Sequence, residues 1–271
     1  GHSNTTLSGG SITTTGTNTY GVYSQISNVA NTASSTIVLS GGSVSTSGTA
    51  AHGLYGRHTG TGITNISSAS TVTASGSNAD GIRAASTGGA TYNIDVTAGT
   101  VKSGADFAAG IHVISAGGGT IDISAGATVD GSSSNIAFRD GDSDNDGVDE
   151  NAGNVVITSA GNVTGDAILG LGNDVFNLIG GSNTGDIYGD DKVASANDGN
   201  DSFNWTGGDL NSGFFGGNGS DAATISSNAN YEGSEILDGG DDYSAADGWV
   251  DTLTLRDQTV TAGAGTILNW E

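Results

Sequence analysis

The sequence predicts an all-β protein, a right-handed parallel β-helix of roughly ten coils. Three observations carry that reading. Apolar anchors recur along the chain: Ile12, Val44, Val72, Val101, Val129 and Val163 are spaced 32, 28, 29, 28 and 34 residues apart. A shorter unit takes over in the C-terminal third, where Gly-Asn-Asp-Val-Phe-Asn-Leu (172–178) returns as Gly-Asn-Asp-Ser-Phe-Asn-Trp (199–205) and, more loosely, at 219–225 and 249–255. Within each unit the apolar period is two, as in Phe176/Leu178, Phe203/Trp205, Ala223/Ile225 and Leu253/Leu255, which is the signature of short strands with alternate side chains inside. Self-similarity of about 20–34 residues describes a stacked solenoid whose units bury their apolar faces only against their neighbours.

The elements follow in order. The N-terminal half alternates two strand types. One reads Ile37-Val38-Leu39, Ile121-Asp122-Ile123 or Val155-Val156-Ile157. The other reads Gly21-Val22-Tyr23, Gly53-Leu54-Tyr55, Gly81-Ile82-Arg83 and Gly110-Ile111-His112. In the C-terminal third the second type becomes Ile168-Leu169-Gly170, Ile187-Tyr188-Gly189, Phe214-Phe215-Gly216 and Ile236-Leu237-Asp238. Gly, Asn, Asp and Ser at the junctions supply tight turns. Runs of Ala, Leu, Glu and Lys that would build helical repeats are missing. The repeat is continuous, so residues 1–271 read as one elongated body, with longer coils over 1–163 and shorter coils over 164–271. Loops are expected near 139–153, 189–199 and 238–250. The opening Gly1-His2 reads as a tag scar outside the fold.

Composition narrows the function. Asp and Glu number 29 against 6 Lys and Arg, a net charge of -23. Nucleic acid and anionic membrane are therefore poor partners, because both require Lys and Arg against phosphate. Cations and a self-repelling, soluble surface are favoured instead. Hydrophobic residues make up 34 % and are periodic, which sets disorder aside despite the Gly/Ser/Thr bias. Cysteine is absent, so disulfides play no part. No apolar run reaches the length of a membrane helix.

The repeats LSGGSITTTGTNTYGVYS (7–24) and LSGGSVSTSGTAAHGLYG (39–56), the Gly-Asn-Asp-x-Phe-Asn units and the closing Gly-Thr-Ile-Leu-Asn-Trp-Glu (265–271) resemble bacterial autotransporter passenger domains and related β-helical surface adhesins. The resemblance covers almost the whole chain. It implies a right-handed β-helix displayed at the bacterial cell surface or secreted, a part in cell adhesion and virulence, and a translocator barrel outside this chain. The implied partner is an extracellular protein or glycan receptor, or a second copy. It brings no catalytic residues.

Two features point to ligands. In 142–150, Asp142, Asp144 and Asp146 stand at positions 1, 3 and 5 of a calcium loop, with Gly147 at 6. Val148 would add its backbone carbonyl at 7 and Glu150 a carboxylate at 9, with Asp140 or Asp149 completing the shell. The bidentate Glu of an EF-hand is replaced by Gly153, so Ca2+ is expected without helical flanks. The second feature is a column. Aligning the Gly-x-x strands puts Val22, Leu54, Ile82 and Ile111 inward and stacks Tyr23, Tyr55, Arg83 and His112 outward. Aromatic faces beside a cation suit a sugar or a protein partner.

Other patterns read more weakly. The Gly-x-Gly-x-Asp runs at 170–174 and 217–221 are similar to toxin nonapeptide repeats, yet Asp174, Asp201, Asp221 and Asp251 are too far apart for tandem calcium sites. They read as turn-plus-strand signatures, and Asp190-Asp191 and Asp241-Asp242 as solvated acids. A polysaccharide-binding or polysaccharide-degrading β-helix enzyme is the alternative function, since Gly189-Asp190-Asp191 and Ala51-His52-Gly53 faintly resemble polygalacturonase motifs. Their order is reversed and no basic partner follows. An ice-binding Thr array fails because the column after the anchors contains Lys102 and Asp130.

Overall fold

The computed structural model describes residues 1–141, 153–191, 199–240, 248–257 and 266–271. Among them there is no helix, and every strand pair is parallel. The chain is a parallel β-helix with three faces. Face one begins with Ser3–Leu7, Ser35–Leu39 and Ile63–Ser68, face two with Ser11–Thr14, Ser43–Thr46 and Thr71–Ala74, and face three with Val22–Ile26, Leu54–His58 and Ile82–Ser86. Face three is a ten-stranded sheet ending at Ile267–Leu268. Faces one and two form a single 16-stranded sheet, joined where Val175–Asn183 and Ser202–Leu210 run continuously round the corner between them.

Faces one and three carry ten rungs each, but only about eight turns are closed on all three sides. This corrects the expected ten. Beyond Leu210 the described residues place no strand on face two, and one bridge there joins Gly208 to Ala229. At a rung spacing of about 4.8 Å the ten rungs span roughly 43 Å.

The apolar anchors are the inward column of face two. Ile12, Val44, Val72, Val101, Val129 and Val163 pair in that order. Each glycine that opens a face-three strand is packed against the anchor of the next coil. A Cβ on Gly21 would lie 2.2 Å from Val44 Cγ1, on Gly53 2.3 Å from Val72 Cγ1, on Gly81 2.6 Å from Val101 Cγ1 and on Gly110 2.5 Å from Val129 Cγ1. The two repeats read separately in the sequence are therefore one packing unit. Inward on face one run Ile37, Ile66, Ile94, Ile121, Ile157, Phe176 and Phe203, nearly all without solvent contact. Toward the C-terminal coils Phe138 meets Phe176 edge-on at 6.3 Å, Phe176 and Phe203 lie tilted at 6.3 Å on successive rungs, and Phe203 stacks on Phe214 at 5.2 Å across the interior. Each buried side chain of this size contributes about 1.5–3 kcal/mol.

The turn before face three carries Asn18, Ala50, Asn78, Asp106 and Asn135, all with φ between 51° and 65°. Asn and Asp tolerate this left-handed conformation; Ala does not. On the opposite edge of the shorter coils, the Asp of each Gly-Asn-Asp unit is buried and turned onto the backbone of the coil before it. Asp174 accepts the Val155 N–H at 2.7 Å, Asp201 the Asp174 N–H at 2.7 Å, Asp221 the Asp201 N–H at 2.6 Å and Asp251 the Asp221 N–H at 2.8 Å. Glu271 ends the series on the Asp251 N–H at 2.7 Å. A parallel series of Asn154, Asn173 and Asn200 side-chain oxygens accepts from the following coils. The Gly-Asn-Asp motif is thus a double ladder that satisfies corner amides otherwise left without partners.

Candidate binding strip on face three

The outward residues of face three form one column. Tyr23 pairs with Tyr55, Tyr55 with Arg83, Arg83 with His112, and His112 with Arg139. The column continues through Ile168, Tyr188 and Phe215, the last two stacked at 5.3 Å. Burial and an adjacent Asp186 push the Tyr188 hydroxyl above its ordinary pKa.

Exposure falls along the column. Tyr23 is 39 % exposed, Tyr55 and Arg83 are half-buried, and His112 has no solvent contact. His112 was expected to face outward into solvent. It is enclosed instead, because its Nε2 donates to the Gly141 carbonyl at 3.0 Å and Arg139 donates to the Phe107 carbonyl at 3.3 Å, so both adjoining turns fold over the sheet. A small apolar cluster of Ala109, Ile136 and Ile168 lies under the same cover. Beyond this cover Tyr188 and Phe215 are again half-buried; before it, the solvent-facing part of the strip is its first three coils.

There a second column, missed in the sequence, adds to the first. Tyr20, His52 and Asp80 each stand one residue before the glycine that opens the face-three strand, and that shared offset was the available signal. The Tyr20 ring stacks on His52 at 5.5 Å and meets Tyr55 edge-on at 4.9 Å. Tyr23 lies 5.2 Å from Tyr20 and 5.1 Å from Tyr55. The three tyrosine hydroxyls make no hydrogen bond among the described residues. Arg57, two positions after Tyr55 and so on the same face, borders the rings. Burial raises the Tyr55 pKa, and the charges of Arg83 and Arg57 oppose that rise.

Beneath the rings sits a buried polar cluster. Asp80 Oδ2 accepts from Arg83 Nη1 at 3.0 Å, and its Oδ1 accepts the Ala109 N–H at 2.8 Å. His52 Nδ1 accepts the Asp80 backbone N–H at 3.0 Å. It therefore cannot also donate to Oδ2, although that atom is only 3.2 Å away, and the proton resides on Nε2. His112 Nδ1 lies 3.3 Å from both Asp80 Oδ2 and Arg83 Nη1. Burial, helped by Arg83 and opposed by Asp80, holds the His112 pKa below its ordinary value. The ring is neutral at pH 7, with Nδ1 accepting from Arg83. On Asp80, burial acts to raise the pKa, but the charge and hydrogen bond that His112 offers when protonated, with the charge of Arg83, outweigh it and hold the carboxyl well below the usual range. The His112 charge exists only in acid, so at neutral pH the carboxylate rests on Arg83 and the Ala109 amide. The cluster props up the strip and fixes Arg83.

The stretch 142–150, with Asp142, Asp144, Asp146, Val148 and Glu150, lies outside the described residues. Its flanks are pinned, Gly141 N–H on the Val113 carbonyl at 3.0 Å and the Asn154 carbonyl under the Gly119 amide at 3.0 Å. Among the described residues no group of three or more His, Asp or Glu side chains is arranged to hold a metal ion. Asp190, read as solvated, is instead buried and accepts the Gly199 N–H at 3.2 Å and the Asn218 N–H at 2.8 Å, joining coils. Asp190 stands five rungs of face three from His52, about 24 Å along the axis, so the two do not share a site.

The fold and strip define a β-solenoid with an aromatic, cationic patch on an otherwise polar and anionic body. Comparison with family models, with curated proteins and with solved structures finds no match.

Proposed function

We propose that this chain is a non-enzymatic extracellular β-helix, the passenger segment of a bacterial surface adhesin, and that Tyr20, Tyr23 and Tyr55 with Arg57 and Arg83 form its contact face toward a protein or glycan receptor. The observation that carries the reading is the gathering of three partly exposed tyrosine rings whose hydroxyls have no hydrogen-bond partner among the described residues. Amphipathic rings of this kind supply contact area at low entropic cost. A catalytic reading gains no support from the same cluster, because Asp80 and both ring nitrogens of His112 are committed to internal contacts. The repeats' resemblance to passenger domains supports surface display, with a translocator barrel elsewhere in the full protein. Calcium at Asp142, Asp144, Asp146, Val148 and Glu150 belongs to the same proposal and rests on the sequence pattern. Calorimetry on the wild type and on Asp144→Ala with Asp146→Ala tests it: calcium heat is expected from the wild type and lost in the variant.

The functional test is a screen of immobilised glycans and matrix proteins, run beside a reducing-end assay on soluble polysaccharides. Saturable binding without new reducing ends is the expected result. Turnover of any polysaccharide would replace the adhesin reading with the enzyme one.

A further inference from the structure

We propose that the strip takes an acidic carbohydrate, a chain of pyranose rings bearing carboxylates, and that Arg57 is the residue that reads the carboxylate. The proposal rests on the strip being the binding face and adds the class of ligand.

The charge inventory points there. Only six Lys and Arg stand against 29 Asp and Glu. Arg83 is held by Asp80 at 3.0 Å and Lys102 by Asp130 at 2.9 Å. Arg139 is buried and donates to the Phe107 carbonyl. Arg57 is half-buried on face three, between Gln25 and Ala85 in the outward column beside the tyrosines. It makes no hydrogen bond or ion pair among the described residues. A half-buried guanidinium with no carboxylate partner among the described residues has its donors available for an outside anion. Its planar fork matches a carboxylate with two parallel hydrogen bonds.

The rings specify the rest of the ligand. Tyr23 and Tyr55 stand on successive rungs with centroids 5.1 Å apart and rings tilted by 38°. They form a ladder of apolar faces parallel to the helix axis, suited to the C–H faces of consecutive sugars. The adjoining hydroxyls can donate to or accept from sugar hydroxyls. A quaternary ammonium, the other ligand that tyrosine clusters favour, is opposed by two guanidinium groups acting on Tyr55. A densely charged phosphate polymer is opposed by the net charge of -23. A sugar chain spaces its carboxylates one per ring, so a single one can meet Arg57, the cation beside the rings that makes no ion pair among the described residues.

Titration calorimetry of the full chain with trigalacturonic acid and with its methyl ester tests this. The acid is expected to bind, with the ester at least tenfold weaker. Arg57→Gln should weaken the acid at least tenfold and leave the ester unchanged. Tyr23→Ala should weaken both, and Lys102→Gln, a cation on face two, neither. Equal affinity for acid and ester, unchanged acid binding by Arg57→Gln, or no heat with the acid would each overturn the proposal. The acid–ester comparison is made on the wild type, so it survives any folding defect in a variant. If it fails while Tyr23→Ala with Tyr55→Ala still abolishes binding to a surface found in the screen, the ligand class is wrong and the binding face stands. If the tyrosine variant keeps that binding, the face is wrong as well.

Discussion

Asp201 is the most informative single position for the physics of the C-terminal coils. Its side chain has 1 % exposure, its Oδ1 accepts the Asp174 N–H at 2.7 Å, and its own N–H donates to Asp221 at 2.6 Å. Asp201→Ala removes the acceptor and leaves the Asp174 N–H buried without one. A charge-assisted bond of this kind is worth about 1.5–3 kcal/mol, and an unsatisfied buried donor costs about 1–3 kcal/mol, two measures of largely the same loss. The expected destabilisation is therefore about 2–3 kcal/mol. Asp201→Asn keeps an oxygen in place while removing one charge from a stacked column of carboxylates, so it should cost under about 1 kcal/mol. In a single unfolding transition of a chain this size, Ala should lower Tm by roughly 4–12 °C. Urea denaturation gives the free energies, and hydrogen exchange at the Asp174 amide localises them, since a solenoid can open from one region. If Asn costs as much as Ala, or neither changes exchange at Asp174, the ladder is not what holds these coils.

Three further outcomes follow from the packing. Gly81→Ala places a Cβ 2.6 Å from Val101 Cγ1 and 2.7 Å from the Gly110 carbonyl, and should destabilise by about 1–3 kcal/mol in urea melts. Ala50 sits at φ 51° in a column otherwise filled by Asn and Asp, so Ala50→Asn should stabilise by about 1 kcal/mol in the same melts. His112, whose folded pKa lies below its ordinary 6.5, leaves the unfolded chain to bind the proton first. Stability should fall as pH drops from about 6.5 towards the folded pKa, by at most about 1.4 kcal/mol per unit for one proton, and His112→Gln should flatten that segment of the Tm–pH curve. Asp80, with its folded pKa depressed, contributes stability that is present above about 3.8 and lost only in stronger acid.

The solenoid is legible because its signals are repeated and local. Val44, Val72 and Val101 each meet the same requirement, so the inward column of face two reads directly from spacing. The Tyr23–Tyr55–Arg83–His112 register is legible for the same reason. The function of the Gly-Asn-Asp aspartates is not, because their partners are amides 19–30 residues away and their composition looks like ordinary turn chemistry. The enclosure of His112 is equally hidden. It depends on where the turns at Phe107 and Gly141 settle, and no periodicity encodes that. Tyr20, His52 and Asp80 share an offset but no chemistry, so alignment on apolar anchors alone passes over them. The number of closed turns is not legible because ten repeats can be counted on faces one and three, whereas face two carries eight strands among the described residues.

The most direct test of the binding face compares the wild type with Tyr23→Ala/Tyr55→Ala on the best surface from the glycan and matrix-protein screen. Both chains are first shown to share the same β-rich circular dichroism spectrum. The account predicts that the double variant loses at least tenfold in affinity while Ile179→Ser, an exposed change on another face, loses none. Equal binding by the double variant and the wild type would contradict it.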